Sequence, residues 1–226
     1  MNLPQILERE CAFINSLSCK WIEKNKLYQM LYRSIAFDSP IYTVLHGSTV
    51  IYKGRAILFG DGVNCRGKTT TALALAEAMV IDEYSLYNSA TGVVYGNRNL
   101  AISIRDGEKY GFKGHVFKLP EEIGLEVTSA KLDMIICPKP SDRDELVEET
   151  NIMVKAHKLA VTATAHQLKF KDNDLDRGNG KEDRTDNLPE LIDDIHGYSV
   201  PEGLLSLPYY DAYLTKPENI INLIKI

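Results

Sequence analysis

Residues 56–77 decide the fold: Ala56-Ile57-Leu58-Phe59-Gly60-Asp61-Gly62-Val63-Asn64-Cys65-Arg66-Gly67-Lys68-Thr69-Thr70-Thr71-Ala72-Leu73-Ala74-Leu75-Ala76-Glu77. Gly62 to Thr69 matches G-x-x-x-x-G-K-[ST] in full. Each residue type has its own reason to be there. Glycine lets the backbone fold tightly enough for successive N–H groups to converge on phosphate oxygens, so Gly62, Val63, Asn64, Cys65, Arg66 and Gly67 form the expected cradle. Lys68 supplies a positive charge for the terminal phosphates, the Thr69 hydroxyl is a ligand for Mg²⁺, and Thr70 continues the cradle into a helix. The context fits, because an apolar strand, Ala56 to Phe59, enters the loop and an Ala/Leu-rich helix, Lys68 to about Ala78, leaves it.

The chain then reads Met79-Val80-Ile81-Asp82-Glu83, an apolar strand delivering two adjacent carboxylates, the first of them fourteen positions beyond Lys68. In parallel α/β sheets phosphates sit at the carboxyl ends of strands, so the two acids arrive where a metal and an attacking hydroxyl would be. One of them can hold Mg²⁺ while the other accepts a proton. Asp82 is the candidate base, and Thr69, Asp82 and Glu83 are the candidate metal ligands.

Upstream of the loop, Ile41 to Leu45, Thr49 to Tyr52 and Ala56 to Phe59 are short β-prone runs, the last two joined around Lys53-Gly54. Further back, apolar residues from Leu3 to Leu31 recur at mostly helical spacing, which predicts one long or two consecutive amphipathic helices over residues 1–38. Downstream, Val93 to Tyr95, Leu100 to Ile104 and Lys131 to Cys137 read as strands, the last ending at Pro138. Ser141 with Asp144 resembles a capping box opening a helix to about His157, and Leu159 to Thr164 reads as a buried strand. Residues 171–186 carry six acids, four bases and a single Leu, too little apolar surface to order themselves, and are expected to form a flexible loop. A short helix over Pro189 to Ile195 and a last one capped by Thr215 with Glu218 complete the pattern.

The composition narrows the partners. The chain has 226 residues, 26 Lys plus Arg against 31 Asp plus Glu, and a net charge of −5. That balance disfavours nucleic acid or an anionic membrane as partner. No apolar run approaches the length of about 20 that spans a bilayer. Glu8, Arg9 and Glu10 interrupt any signal-peptide pattern, and Cys11, Cys19, Cys65 and Cys137 are scattered without a C-x-x-C pair. Reduced thiols and a cytoplasmic location are the expectation. His115, His157, His166 and His196 lack metal-ligand spacing, and Tyr209, Tyr210 and Tyr213 read as core or interface aromatics.

The ordered set Leu45-His46-Gly47, Leu58-Phe59-Gly60-Asp61-Gly62 through Lys68-Thr69, and Ile81-Asp82-Glu83 resembles the HPr kinase/phosphorylase family and its wider group of HPr-kinase-like kinases. The resemblance covers about residues 41–105. It implies an α/β P-loop kinase domain with a mixed β-sheet, related to phosphoenolpyruvate carboxykinase, over residues 39–226 behind the helical N-terminal extension. It further implies that His46 is the active-site histidine, that Asp82 takes or returns the substrate proton, and that Arg105 belongs to a family signature and anchors phosphate or substrate. Glu83 stands where the family usually has a second Asp. In this chain Asp106 intervenes before Gly107, and Ser103 replaces an acid of the signature.

The implied activity is transfer of a phosphoryl group from ATP, with Mg²⁺, to a hydroxyl on a protein or peptide serine or on a small molecule. A nucleotide-binding regulatory module or NTPase switch, which needs the same loop but no acceptor, is the alternative. An Asn-Lys-x-Asp guanine-reading motif is missing, and the short chain leaves little room for the extra substrate lobe of a carboxykinase. Relatives assemble as oligomers, and the apolar N-terminal helices offer a surface for a homo-oligomer.

Overall fold

The computed structural model describes residues 3–39, 41–60, 67–82, 84–105, 115–164 and 200–224. Two consecutive helices open the chain, α1 (Leu3–Ser16) and α2 (Trp21–Asp38). The three β-prone runs that follow form two strands, β1 (Tyr42–Tyr52) and β2 (Arg55–Gly60). They are joined at Lys53 and Gly54, whose φ values of 47° and 74° are those of the tight turn whose twist suits a hairpin. After residues 61–66 come α3 (Lys68–Leu75), β3 (Ala78–Ile81), β4 (Tyr84–Asn88) and β5 (Val93–Val94). Then follow β6 (Ile102–Arg105), β7 (His115–Lys118), β8 (Ala130–Pro140) and β9 (Glu145–Glu148). The last elements are α4 (Ile152–Thr164), α5 (Glu202–Leu205), β10 (Tyr209–Leu214) and α6 (Ile220–Leu223).

The main sheet is mixed. β1 pairs antiparallel with β2 on one side and with β3 and β4 on the other. β4 continues antiparallel to β5 and β5 to β8, while β8 runs parallel to β2 and β10, so the pairings close back on β2. β9 lies antiparallel along the outer side of β10. β6 and β7 form a separate two-stranded hairpin.

Side chains alternate across the strands and so build two cores. Ile57, Phe59, Met134, Ile136, Ala212 and Leu214 pack with Ala72 and Leu75 of α3 and Ile220 of α6. Leu58, Ile135, Cys137 and Tyr209 turn the other way, onto Leu159 of α4, Leu204 of α5, and Leu7, Cys11, Tyr28 and Tyr32 of α1 and α2. The result is helices on both faces of a sheet whose parallel strands β2, β8 and β10 lie side by side. On the outer side of the N-terminal helices Phe13, Met30 and Phe37 remain exposed, Phe37 by 91%.

Several expectations fail. Residues 145–148 are a strand rather than a helix, and residues 159–164 are the end of α4 rather than a buried strand. The buried positions Lys155, Leu159 and Thr162 recur at helical spacing. The cap of α4 is Asn151, whose side-chain oxygen accepts the N–H groups of Met153 (3.0 Å) and Val154 (3.3 Å). The capping-box acid Asp144 is used elsewhere, because it accepts from the Thr215 N–H (2.7 Å), the Thr215 hydroxyl and Asn219 Nδ2 (2.8 Å). Thr215 is thereby held by Asp144 and does not cap the last helix, which follows a 3₁₀ turn over Pro217–Asn219. β8 also runs past Pro138 to Pro140, beyond its pairing with β2, where β10 flanks it. The expected loop 171–186 and the short helix at Pro189 to Ile195 lie outside the described residues.

Candidate functional site

The site lies at the carboxyl end of β2. Gly67 adopts φ 80° and ψ 18°, a left-handed conformation that favours glycine, and its carbonyl accepts the Thr71 N–H (2.8 Å) to start α3. Lys68, Thr71, Ala72 and Leu75 are buried at i, i+3, i+4 and i+7, so one face of α3 is pressed onto the sheet. Lys68 is therefore delivered at the first turn of the helix with its side chain 8% exposed. Thr69 stands beside it, and Thr70 faces solvent.

β1 sets the opposite wall. His46 pairs with Tyr84 and Thr49 with Ile81, one continuous register that puts Ser48 across from Asp82 in the gap between β3 and β4. The two sides of the gap are drawn together, since the Tyr84 N–H donates to the Asp82 carbonyl at 2.8 Å. The Asp82 side chain is 2% exposed and faces α3: Thr69 Oγ1 donates to Asp82 Oδ1 at 3.0 Å. Ser48 Oγ donates to the same carboxylate oxygen and lies 3.2 Å from Thr69 Oγ1. Ser48 was not among the residues singled out in the sequence. Strand alternation could have found it, because it lies two residues beyond His46 and so on the same face of β1.

Backbone crowding fixes this corner. A Cβ at Gly47 would fall 2.4 Å from the carbonyl oxygen of Phe59, so residue 47 must lack a side chain for β1 and β2 to approach. Gly60, its partner across the pair, lies under the Thr162 methyl group of α4 and beside the His46 carbonyl, at 3.1 and 3.3 Å from its own would-be Cβ. His46 itself is buried.

The remaining candidates divide. Gly62, Val63, Asn64, Cys65, Arg66 and Glu83 lie outside the described residues. The Arg105 backbone ends β6, opposite His115 in β7, and Ile102 attaches that hairpin to the core beneath α3. His157 is exposed on α4, and His166 and His196 lie outside the described residues. Tyr209 is fully in the core, with Tyr210 and Tyr213 half-buried.

The donor set suits a hard cation. Two hydroxyls and one carboxylate oxygen are ligands of the kind Mg²⁺ takes. No group of three or more His, Cys, Asp and Glu side chains gathers for a metal among the described residues. No helix among them is long and apolar enough to cross a membrane.

A second polar cluster occupies the same sheet. Asp211 Oδ2 accepts from Lys158 (2.9 Å) and Lys139 (2.7 Å), and Lys158 also reaches Glu149 (2.8 Å). Burial works against the Lys158 ammonium, but the two carboxylates outweigh it and raise its pKa. The Lys158 hydrogen bond, with the Asn151 N–H, holds Glu149 below the usual carboxylate range. Near α1, burial pushes the Cys11 thiol up to about 12, with Asn97 Nδ2 donating to its sulfur at 3.1 Å.

Compared with models of known protein families and with curated proteins, the sequence matches none.

Proposed function

We propose that the protein is an ATP-dependent kinase of the HPr-kinase-like group, built on a P-loop kinase fold, that transfers a phosphoryl group to a hydroxyl. The observation that carries the reading is the 3.0 Å hydrogen bond from Thr69 to Asp82. It joins the last residue of the loop motif to the first acid of the pair, so the two halves of the sequence pattern meet in space.

The residues divide the work. Lys68, at the start of α3, neutralises charge on the terminal phosphates, and the N–H groups of the first helical turn add their partial positive charge. Ser48 and Thr69 fix the Asp82 carboxylate from one side. Asp82 takes the proton of the acceptor hydroxyl as its oxygen bonds to the γ-phosphorus and the β–γ bridging oxygen leaves with ADP. Mg²⁺, when bound, would draw charge from the phosphates, with Thr69 and Asp82 as its protein oxygens. His46, buried two residues before Ser48, contributes positive charge near the transferring group when protonated. The acceptor is a protein or peptide serine or a small alcohol, and positioning with charge neutralisation supplies most of the acceleration.

The same loop serves the alternative, a nucleotide-binding switch in which Asp82 orients water. Labelled ATP with Mg²⁺ and a panel of hydroxyl acceptors separates the two. Transfer that disappears in Asp82→Asn is the expected result. Slow hydrolysis to ADP with no labelled acceptor, together with nucleotide-dependent partner binding that survives Asp82→Asn, replaces the kinase with the switch.

A further inference from the structure

The geometry points to Ser48 as a third protein ligand of the metal that accompanies the nucleotide, completing a triangle of oxygens with Thr69 and Asp82. This rests on the nucleotide reading above and extends it to a residue outside the loop and the acid pair.

Three atoms define the triangle. Thr69 Oγ1 and Asp82 Oδ1 are 3.0 Å apart, Ser48 Oγ and Thr69 Oγ1 are 3.2 Å apart, and the third edge is the Ser48–Asp82 hydrogen bond. An octahedral Mg²⁺ with oxygens at about 2.0–2.1 Å sets neighbouring ligands about 2.9 Å from each other. The Thr69–Asp82 and Ser48–Thr69 edges are close to that separation, and the Ser48–Asp82 hydrogen bond brings the third oxygen to the same corner.

The chemistry agrees. All three oxygens are hard donors, and each hydroxyl can direct its proton to the carboxylate while its lone pairs face a cation. Each oxygen comes from a different element: Ser48 from β1, Thr69 from α3, and Asp82 from the end of β3. Ser48 is 1% exposed, and the 47–60 backbone contact holds its strand in place, so the triangle is built before any ligand arrives. A merely structural serine at this position needs one partner, whereas Ser48 approaches both residues already assigned to the metal.

Mn²⁺ with ADP, followed by electron paramagnetic resonance and calorimetry, tests this without any turnover. Ser48→Ala is expected to weaken Mn²⁺ binding in the presence of ADP about tenfold or more while leaving metal-free ADP affinity unchanged. Ser48→Cys, nearly the same size, is expected to favour Cd²⁺ over Mn²⁺ relative to the wild-type protein, because a thiolate is a soft ligand. A packing role would not produce that reversal. Unchanged Mn²⁺ binding in Ser48→Ala, or a Ser48→Cys protein with the wild-type metal preference, overturns the assignment and leaves the nucleotide reading standing. A wild-type protein that binds no ADP overturns both.

Discussion

Asp82, just past the end of β3, and Asp211, within β10, are both buried carboxylates, yet their surroundings differ in kind. Asp82 Oδ1 accepts from two hydroxyls, Ser48 and Thr69, whereas Asp211 Oδ2 accepts from two ammonium groups, Lys139 and Lys158. A hydroxyl donates to a carboxylate without bringing a charge of its own, whereas an ammonium group brings one. With Glu149 on Lys158, the second cluster has two positive and two negative charges. The lesson is that burial and hydrogen bonding alone do not mark a site. The kind of donor on the carboxylate distinguishes the two clusters.

Substitution at the two acids should break that symmetry of appearance. Asp82→Asn is expected to lower phosphoryl transfer by about 10³-fold, within the range for a general base, with a melting temperature near that of the parent. Rate and thermal melts measured on one preparation check both halves. Gly47→Ala forces a methyl group against the Phe59 backbone and should cost about 3 kcal/mol, while Gly60→Ala meets only the Thr162 methyl and the His46 carbonyl and should cost about 1 kcal/mol. Denaturant unfolding gives the order, and equal costs would mean that the corner is looser than its distances say.

Asp211→Asn is the mirror experiment. Its lysine partners are about one-quarter exposed, which screens the ion pairs, so a loss of about 2 kcal/mol in stability is expected with unchanged nucleotide affinity. A loss of nucleotide binding instead would move the second cluster into the functional site.

The smallest effect concerns acid. The Thr215 N–H and hydroxyl and Asn219 hold Asp144 below the ordinary carboxylate range, and Lys158 with Asn151 does the same for Glu149. A carboxylate with a lowered folded pKa stabilises the protein above its unfolded value and loses that contribution as pH falls through the folded one. Melting temperature should therefore hold from neutrality and begin to fall near pH 4, where unfolded carboxylates titrate. Asp144→Asn should shrink the drop.

The parts of this molecule governed by near neighbours could be read from the residues. The strand into the loop, the helix out of it, the Lys53-Gly54 hairpin and the two N-terminal helices each follow from local period or turn chemistry. Asp82 was legible because the acids end an apolar run. What escaped depends on distant partners. Asp144 resembles a local cap but serves Thr215 and Asn219, more than seventy residues away. The run Leu159 to Thr164 is apolar enough for a strand but continues α4, with Leu159 and Thr162 buried at the helical spacing begun by Lys155. Alternation along β1 puts Ser48 on the face of His46, but only the register of β1 sets it opposite Asp82.

The acid turn also leans on the start of the chain. Gln29 Nε2 donates to the Tyr84 hydroxyl at 2.7 Å, the Tyr32 and Tyr84 rings lie 5.9 Å apart, and Asn97 Nδ2 reaches the Tyr32 hydroxyl at 3.2 Å. Tyr84 is bonded in turn to the Asp82 carbonyl. Helix α2 is thus a buttress behind the carboxylate. A cassette excised from residue 39 onward would keep every letter of the motif and lose the masonry that aims it, so any transplant of this chemistry must bring the opening helices along.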